Sequence, residues 1–392
     1  MYDAIVVGMG PAGASAATEL ARAGLSVLGL EWRAMPRYKV CGGALSARTD
    51  KILEPDYHGL VEETIHRVRF QFAGTEAFEI SSPEPIAYMV MRDRFDAHLV
   101  QKAQEAGVLV RQNERAVRMC EYADRVEVET QQGLYRAKVV VGADGANSVV
   151  ARALFPGRRG RALGALEGEV PLNGTSSRLA AGTIVLDLGV VAGGYGWVFP
   201  KERRLSVGVA GLQGRHRNPR LAYQGFVRTE PTLDGLVVPN GLGHPIPLYC
   251  DTAAERLPLT TLRALLVGDA AHLVDPLLGE GIYYAILSGK MAAQSIIERV
   301  QGNAPDLHAY DEQVSRDIYP EFRAAARMAW TVYTFPQMSH RMVHRCPEIV
   351  QLYAEILKGR ETYQSFYAKA RARAKESFAQ LGKDACLSVF KG

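Results

Sequence analysis

Cysteine is scarce in this chain of 392 residues, which contains five, and no two of them form a Cys-x-x-Cys pair. Scattered cysteines, odd in number, argue against a disulfide framework and against a zinc site, and they fit a reducing compartment. Long apolar runs are also missing, since none reaches the roughly 18–20 residues that a membrane-spanning helix needs. The opening residues lack the basic start of a secretory signal. These absences predict a cytoplasmic protein without a metal site.

Over most of the chain, positively and negatively charged residues nearly balance. The formal net charge is +4, and the stretch from Gln337 to Gly392 alone contains ten Lys or Arg against five Asp or Glu. No basic segment is interleaved with aromatic residues, so nucleic-acid binding is not predicted. A basic tail would attract anionic lipid headgroups and so favour peripheral membrane contact, but a solvated helix face is the commoner explanation of such a run.

A glycine motif near the start carries the strongest positive signal. Gly8, Gly10 and Gly13 stand in the pattern Gly-x-Gly-x-x-Gly between an apolar strand over 2–8 and an Ala-rich helix over 11–23. The first glycine permits a tight turn, the second a close approach to a pyrophosphate, and the third close packing of helix and strand. Glu31 ends the next strand, where an acid binds ribose hydroxyls. The motif predicts a dinucleotide site, but FAD and NAD proteins share it.

Three later segments favour FAD. Gly-Ala-Asp-Gly over 142–145 closes one strand, and Arg92 starts a helix after a set of alternating strands. Asp269 closes another strand as Gly-Asp, and behind it stand Gly279 and Gly281, where we expect a long helix to begin near Gly279. An acid at the carboxyl end of a strand lies where such folds bind ligands, although Asp after Gly is also a common helix cap. The two glycines would let the positive end of the helix approach a flavin ring.

A second glycine-rich strand-turn-helix, as a nicotinamide domain would require, is not found. We therefore expect NADPH or another electron carrier to act as a transient reductant.

The pattern of elements predicts a mixed α/β fold. With 47% hydrophobic and 22% charged residues, the chain has the composition of a folded protein of two domains or one large one. Alternating segments predict antiparallel strands with one wet face. We predict a Rossmann-like FAD-binding domain, an inserted antiparallel-sheet substrate domain and a helical C-terminal region. These comprise, in that order, residues 1–64, 92–160 and 251–300; 65–91 and 161–250; and 301–392.

Two further segments narrow the assignment. They are Tyr-Lys-Val-Cys-Gly-Gly-Ala over 38–44 and Gly-Tyr-Gly-Trp-Val-Phe-Pro over 194–200. Together with the FAD segments, they resemble the geranylgeranyl reductase family of the para-hydroxybenzoate hydroxylase-like FAD superfamily, over about residues 1–300. The resemblance implies noncovalent FAD and the saturation of carbon–carbon double bonds in a polyprenyl chain. Reduced flavin would give hydride to one alkene carbon while an acid protonates the other.

The resemblance also implies which residues form the site. Those expected at the cofactor are Gly8, Gly10, Ala12, Gly13, Glu31, Cys41, Gly42, Ala44, Arg92, Ala116, Asp269, Gly279, Gly281 and Ile282. Tyr195, Trp197 and Phe199 alternate on one strand and would form the wall of an apolar substrate channel, or else part of the core. Cys41 is the candidate proton donor, and its alternative role is that of a small residue filling a tight loop.

Two other functions fit the same sequence. One is an FAD-dependent aromatic monooxygenase of the same superfamily, and the other is a non-catalytic, flavin-loaded module associated with a membrane. The aromatic and Met-rich segment from Met328 to Met338 would suit a prenyl chain, although ordinary helical packing explains such a segment more often. The expected partner is therefore an isoprenoid or lipid, and no feature specifies an oligomeric state.

Overall fold

Three β-sheets and a helical C-terminal region organise the chain. The computed structural model describes residues 1–157, 161–173, 178–212, 218–250, 258–346 and 348–369. The mixed α/β fold class predicted from the sequence is confirmed.

The first sheet carries the glycine motif. Strands β1, β2, β8 and β17 run parallel to one another and to the end of β11, while β10 pairs antiparallel with the start of β11 and with β9. Every residue of β2 is buried, as expected for a strand covered on both faces. The strands are β1 (Tyr2–Val7), β2 (Val27–Leu30), β8 (Leu109–Arg111), β9 (Ala116–Glu121), β10 (Val126–Thr130), β11 (Leu134–Gly142) and β17 (Ala264–Leu266).

Two helices pack closely against each other beside this sheet. Helix α1 (Pro11–Arg22) begins with proline, which suits the first helical position because its missing N–H would have no partner there. Helix α5 (Ile282–Val300) crosses it so closely that a Cβ on Gly289 would lie 2.3 Å from the carbonyl oxygen of Ala12. Glycine is therefore required at this crossing.

The second sheet has two buried faces. One face packs on helix α4 (Pro219–Thr229) through apolar residues such as Val198 and Phe226. On the other face, Tyr195 and Trp197 pack in one cluster with Met89. Only the β13–β5 pair is parallel among its described pairs. Its strands, in spatial order, are β16 (Leu242–Pro247), β12 (Ala162–Pro171), β15 (Arg204–Leu212), β14 (Gly194–Lys201), β13 (Thr183–Leu188), β5 (Arg67–Phe72) and β6 (Thr75–Ser81).

A small third sheet connects the other two. It pairs β7 (Ala87–Val90) with β3 (Ala44–Ser46) and β4 (Val61–Ile65). The remaining helices are α2 (Arg92–Glu105), α3 (Val149–Leu154), α4 (Pro219–Thr229), α6 (His308–Asp317), α7 (Tyr319–Thr334), α8 (Pro336–Arg345) and α9 (Glu348–Leu357). In the described chain, no helix is both long and apolar enough to cross a membrane.

Two local predictions differ from the structure. The long helix begins at Ile282 rather than near Gly279, because Gly279 has φ +69°, which a right-handed helix does not allow. The strand at 87–90 lies in the third sheet instead of joining β5 and β6. The end of the basic tail, residues 370–392, lies outside the described residues. The division into three domains stays a prediction.

Candidate active site

The glycines of the fingerprint loop have different surroundings. A Cβ on Gly13 would lie 1.9 Å from the carbonyl oxygen of Gly8, and one on Gly8 would lie 2.4 Å from that of Ala143. At Gly10 the nearest atom is Arg37 Nη2 at 3.6 Å, which is ordinary contact. Gly8 and Gly13 are thus required by the protein's own packing, whereas Gly10 leaves free the space into which a pyrophosphate would approach.

A chain of charged groups runs from this loop to helix α2. The Met9 N–H donates to Glu31 Oε2 at 3.2 Å, and Arg37 Nε lies 3.3 Å from Glu31 Oε1. Arg37 also donates to Asp96 at 3.1 Å, and Arg92 forms a bidentate pair with Asp96 at 2.8 and 2.9 Å. Glu31 is 1% exposed, so its charge is held among these donors. The predicted ribose acid and Arg92 therefore belong to one network.

Asp144 and Asp269, the two acids that follow strands of the first sheet, have different roles. Asp144 accepts from the Val149 N–H at the start of α3 at 2.6 Å, beside the N-cap residue Ser148. Asp269 has no such role, since no side chain caps either the short turn Gly268–Ala271 or α5. Its Oδ1 instead lies 3.5 Å from the Cβ position of Gly281. The capping alternative for Asp269 is not what the structure contains, and the carboxylate is available to a ligand.

The turn before α5 is held from three sides. Asp275, fully buried, accepts from the Leu277 and Leu278 N–H groups at 2.8 Å each. The Tyr195 hydroxyl donates to the Leu278 carbonyl at 2.5 Å, and the Tyr333 hydroxyl donates to that of Leu277. The position of Gly279 and Gly281 thus depends on the aromatic strand and on helix α7.

An ion pair fixes the other end of the same turn. Glu280 accepts hydrogen bonds from Ser46 and Arg48, and the Arg48 guanidinium lies 4.1 Å from the Tyr283 ring centroid. Burial acts against the charged form of Arg48, but Glu280 raises its pKa above the ordinary value. Ile282, predicted at the cofactor, is the first residue of α5 and is buried.

The Cys41 loop meets the aromatic strand. A Cβ on Gly42 would lie 2.8 Å from the Phe199 ring, and one on Gly43, with φ +74°, would lie 2.2 Å from the Val90 carbonyl oxygen. Both glycines are therefore required by contacts with protein atoms. Ala44, also predicted at the cofactor, is the first residue of β3.

Arg92 lies beside the Cys41 thiol. Burial acts against the charged guanidinium, but Asp96 and then Cys41 raise the pKa of Arg92 above its ordinary value. The Gly43 N–H approaches the Cys41 sulfur at 3.5 Å. The thiol therefore has a cation and an N–H donor on the protein side.

Lys39 and His244 are site residues that sequence reasoning missed. Burial lowers the pKa of Lys39, with Asp269 opposing that shift and Arg92 adding to it. Burial, followed by the charge of Lys39, lowers the pKa of His244 to about 4. Electrostatic contact thus groups both residues with Asp269 and Arg92. No sequence pattern pointed to His244, because β16 follows none of the FAD segments closely along the chain.

Glu167 is the third residue missed. It is 1% exposed on β12, and its Oε2 accepts from the Cys41 N–H at 3.0 Å and the Tyr38 hydroxyl at 3.4 Å. Burial, followed by the charge of Glu169, raises its pKa to about 7. A signal did exist, since two acids alternate within an otherwise apolar strand, and buried acids are rare unless they are partnered.

The three predicted substrate residues share one face of β14. Ring centroids are 5.9 Å apart for Tyr195 and Trp197, and 6.0 Å for Trp197 and Phe199. Tyr195 also stacks on Tyr333 at 6.5 Å and 10°. Since the Tyr195 hydroxyl is already bonded to Leu278, Tyr195 acts here as an aromatic surface and a support for the turn. Ala116 lies apart from these residues, at the start of β9.

The residues present fit an FAD molecule. Among the glycines predicted at the cofactor, Gly10, Gly279 and Gly281 are those at which an added Cβ would meet protein atoms only at ordinary contact distances. The carboxylate of Asp269, which caps no helix, lies beside Gly281. The start of α1 offers N–H groups to phosphates. Gly8, Gly10, Gly13 and Glu31 would hold the adenosine diphosphate half, and Asp269, Gly281 and Arg92 the flavin half.

The comparisons with known proteins agree with this geometry. Residues 1–180 match a family described as an FAD binding domain. Digeranylgeranylglycerophospholipid reductase 1 of Methanopyrus kandleri is 32% identical over 353 residues, covering 84% of this chain and 90% of that protein. The chloroplastic geranylgeranyl diphosphate reductase of Nicotiana tabacum is 26% identical and covers 88% and 77%.

A solved structure shares the fold. It is a geranylgeranyl bacteriochlorophyll reductase-like protein of Thermoplasma acidophilum, with a TM-score of 0.79 and 23% identity, covering 95% of this chain and 98% of that one. The fold and site define an FAD-dependent oxidoreductase. Within that class, the chain belongs to the geranylgeranyl reductase family, as the sequence predicted.

Proposed function

We propose that this enzyme saturates carbon–carbon double bonds of a geranylgeranyl-type polyprenyl chain. The observation that carries the proposal is the meeting of the Cys41 loop with the aromatic face of β14, beside Arg92. The two curated relatives are named for different headgroups, a glycerophospholipid and a diphosphate, but both names contain the geranylgeranyl chain. The geranylgeranyl chain is therefore what the two named substrates have in common.

The residues of the site have different roles in the proposed reaction. Bound noncovalently and reduced, FAD supplies the hydride. Cys41 gives a proton to the second alkene carbon, and the neighbouring Arg92 stabilises the thiolate that remains. Trp197 and Phe199 exclude water from an isolated alkene, which is too electron-rich to accept hydride without advanced protonation. NADPH or another electron carrier reduces the flavin during a transient encounter.

We also propose that helices α7 and α8 touch a membrane surface. Trp330, Phe335, Met338 and Met342 are 63, 46, 57 and 43% exposed, and the Trp330 and Phe335 rings are 6.0 Å apart. No Asp or Glu occurs between positions 322 and 346, whereas four arginines do. An exposed apolar patch edged by cations suits an anionic bilayer. Tyr333, on the same helix, reaches the turn before α5, so this surface borders the site.

A single-turnover experiment tests the reductase. The FAD-loaded enzyme is reduced with dithionite without oxygen and mixed with geranylgeranyl diphosphate, and the lipid is analysed by mass spectrometry. We expect a gain of two hydrogens for each flavin reoxidised. In a parallel assay under air with NADPH, oxygen consumption that depends on an aromatic substrate would instead establish a monooxygenase. Unchanged lipid, tested also with a glycerophospholipid carrying geranylgeranyl chains, would leave only a non-catalytic module.

Vesicle flotation tests the membrane contact. We expect the protein to float with vesicles containing phosphatidylglycerol, and a Trp330→Ser/Met338→Ser variant to remain in the soluble fraction. The matched control is Leu134→Ser, which removes an exposed apolar side chain from β11. Equal flotation of all three proteins would contradict the proposed surface.

A further inference from the structure

Glu167 connects the second sheet to the Cys41 loop through a hydrogen bond. It lies on β12 of the second sheet, on the same face as Ala165, and its Oε2 accepts the Cys41 N–H at 3.0 Å. The Ser206 hydroxyl donates to its other oxygen at 3.2 Å, and Trp197 Nε1 donates to Ser206 at 3.3 Å. One carboxylate therefore joins the Cys41 backbone to the aromatic strand.

A second hydrogen bond of the loop involves the backbone of Gly43. Val90 N–H donates to the Gly43 carbonyl at 2.9 Å, which ties the glycines to the third sheet. The Cys41 N–H is tied to the second sheet by Glu167 alone among the hydrogen bonds of the described residues. Cys41 is thus held between two sheets, and one of the two ties depends on a side chain.

Among the described residues, no cation forms an ion pair with Glu167. Lys201, 1% exposed at its side chain, pairs with Glu169, the next acid on the same face. Two buried carboxylates therefore share one ammonium group, and Glu167 is stabilised by N–H and O–H donors. A carboxylate buried in this way is costly unless every donor is in place, so its charge and the position of the loop depend on each other.

We infer that Glu167 is a positioning residue, whose buried carboxylate holds the Cys41 thiol in place at the flavin cavity and, through Ser206, aligns it with Trp197. The inference rests on the proposed function only for the role of the Cys41 thiol as proton donor. The effect of the hydrogen bond between Glu167 and the Cys41 N–H on the loop can be measured without substrate.

Protonation would weaken this tie. The titratable and charged groups facing Glu167 are Glu169 on β12, Lys201 on β14, Tyr223 on α4, and Tyr38 and Cys41 on the loop. A proton on Oε2 would point to the Tyr38 hydroxyl, which can turn and accept it, whereas the Cys41 N–H can only donate. The bond to Cys41 would then change from charge-assisted to neutral, which is about half as strong. The loop is therefore held more firmly above neutral pH than below it.

Thiol labelling of the FAD-loaded protein tests the inference. Iodoacetamide is added between pH 6 and 8.5, and modification of the Cys41 peptide is followed by mass spectrometry, with the Cys120 peptide as an internal reference. Glu167→Gln keeps the size of the side chain and removes its charge. We expect Cys41 to be labelled about fivefold faster in this variant at pH 8, with Cys120 unchanged.

Glu169→Gln is the matched control. It removes one negative charge from the same face of the same strand but makes no bond to the loop, and we expect labelling within twofold of wild type. Glu167→Asp, which keeps the charge but withdraws it by one methylene, should also label faster, and it serves if Glu167→Gln loses FAD. Wild-type labelling of Cys41 in both Glu167 variants, or an equal acceleration in Glu169→Gln, would overturn the inference.

The activity measurement separates the two proposals. In the single-turnover assay, Glu167→Gln should slow product formation while KM for the polyprenyl substrate stays near the wild-type value. If wild-type enzyme forms no saturated product, the proposed function fails, yet the labelling difference would still establish the positioning role. If wild type is active and Glu167→Gln keeps full activity over the whole pH range, Glu167 does not position the reacting thiol.

Discussion

The two sides of the site are built by different means. On the nucleotide side, the fingerprint loop relies on backbone, and its Gly8 and Gly13 leave no room for a methyl group. On the substrate side, the Cys41 loop relies on side chains, including a buried carboxylate, an arginine and three aromatic rings. The nucleotide side should therefore be sensitive mainly to added volume. The Cys41 loop, whose Gly42 and Gly43 are also tightly packed, should in addition be sensitive to lost charge or lost hydrogen bonds.

The largest effect is expected at Gly13. A Gly13→Ala variant places a methyl group 1.9 Å from the Gly8 carbonyl oxygen, so the loop must move. We expect complete loss of FAD and a destabilisation of about 1–3 kcal/mol, the usual cost of overpacking. Released flavin is measured after denaturation, and stability by urea unfolding. Gly59→Ala, where the added atom meets nothing within 4 Å and φ is not positive, is the control for added volume alone. Full FAD content in Gly13→Ala would contradict the packing argument.

Gly281→Val tests the flavin end of the same side. A Cβ here meets Asp269 and Val274 only at ordinary contact distances, so the apoprotein should unfold like wild type. The side chain would occupy space needed by the flavin and remove close N–H groups at the start of α5, worth about 2 kcal/mol or a roughly thirtyfold loss of affinity. Flavin fluorescence titration measures it. An unchanged affinity and unchanged rate of dithionite reduction would place the ring elsewhere.

The Cys41→Ser variant tests the substrate side of the site. Ser is nearly isosteric, so FAD should stay bound, but its hydroxyl is a much weaker acid than a thiol of pKa about 8.5. We expect the alkene step to slow at least about tenfold, equivalent to roughly 1.4 kcal/mol in the barrier, with flavin reduction affected less. Single-turnover mixing of prereduced enzyme with substrate isolates that step. A rate equal to wild type would make Cys41 a space-filling residue.

Tyr195→Phe and Tyr333→Phe probe the point where the two sides meet. Each removes a hydroxyl that donates to a carbonyl of the turn before α5 and leaves the ring in place. We expect each to cost about 1 kcal/mol and to weaken FAD binding about fivefold. Fluorescence titration of both variants is compared with Tyr367→Phe, which is exposed on the described surface. If both variants match that control, the turn is fixed by Asp275 and Glu280 without the tyrosines.

The smallest effect is a change in the pH dependence of stability. Burial raises the pKa of Glu167 to about 7 from an ordinary 4.5, so the native state binds its proton more tightly than the unfolded state. Its contribution is therefore full below about pH 4.5 and is lost as the pH rises through 7. Between pH 5 and 8, Tm should fall less in Glu167→Gln than in wild type, by a few degrees, since about 1 kcal/mol shifts Tm by roughly 2–4 °C.

The control for this titration is Glu169→Gln. It removes the charge that helps to raise the pKa of Glu167, so the fall in Tm should still begin near pH 4.5 but be smaller and end at a lower pH. Asp187 and Asp275, whose pKa values burial raises to about 6, contribute equally to all three proteins. Identical Tm profiles for wild type and Glu167→Gln would show that the carboxyl is not strained by burial.

The same contrast explains what the sequence could predict. Gly8, Gly10, Gly13 and Glu31 lie within one strand-helix-strand unit, so local spacing predicts where they meet. Asp269 and Gly281 follow a recognisable strand, and the family resemblance supplied Cys41. Glu167 and His244 could not be found in this way, because each joins the site through sheet register, and pairing between distant strands is not written in local pattern. For Gly42 the family resemblance implies contact with the cofactor, whereas the close contact in the structure is with the Phe199 ring.

The close crossing of α1 and α5 has a consequence for biosynthesis. α1 begins at Pro11 and its partner at Ile282, so the ribosome releases the fingerprint helix well before the helix that must cover it. At a synthesis rate of roughly 5–20 residues per second, the apolar surface of α1 stays uncovered for tens of seconds before α5 is made. Cofactor capture is therefore a late event in the life of the nascent chain. A chain interrupted before Gly289 would contain every residue of the glycine fingerprint and still be a client for chaperones and proteases rather than a flavoprotein.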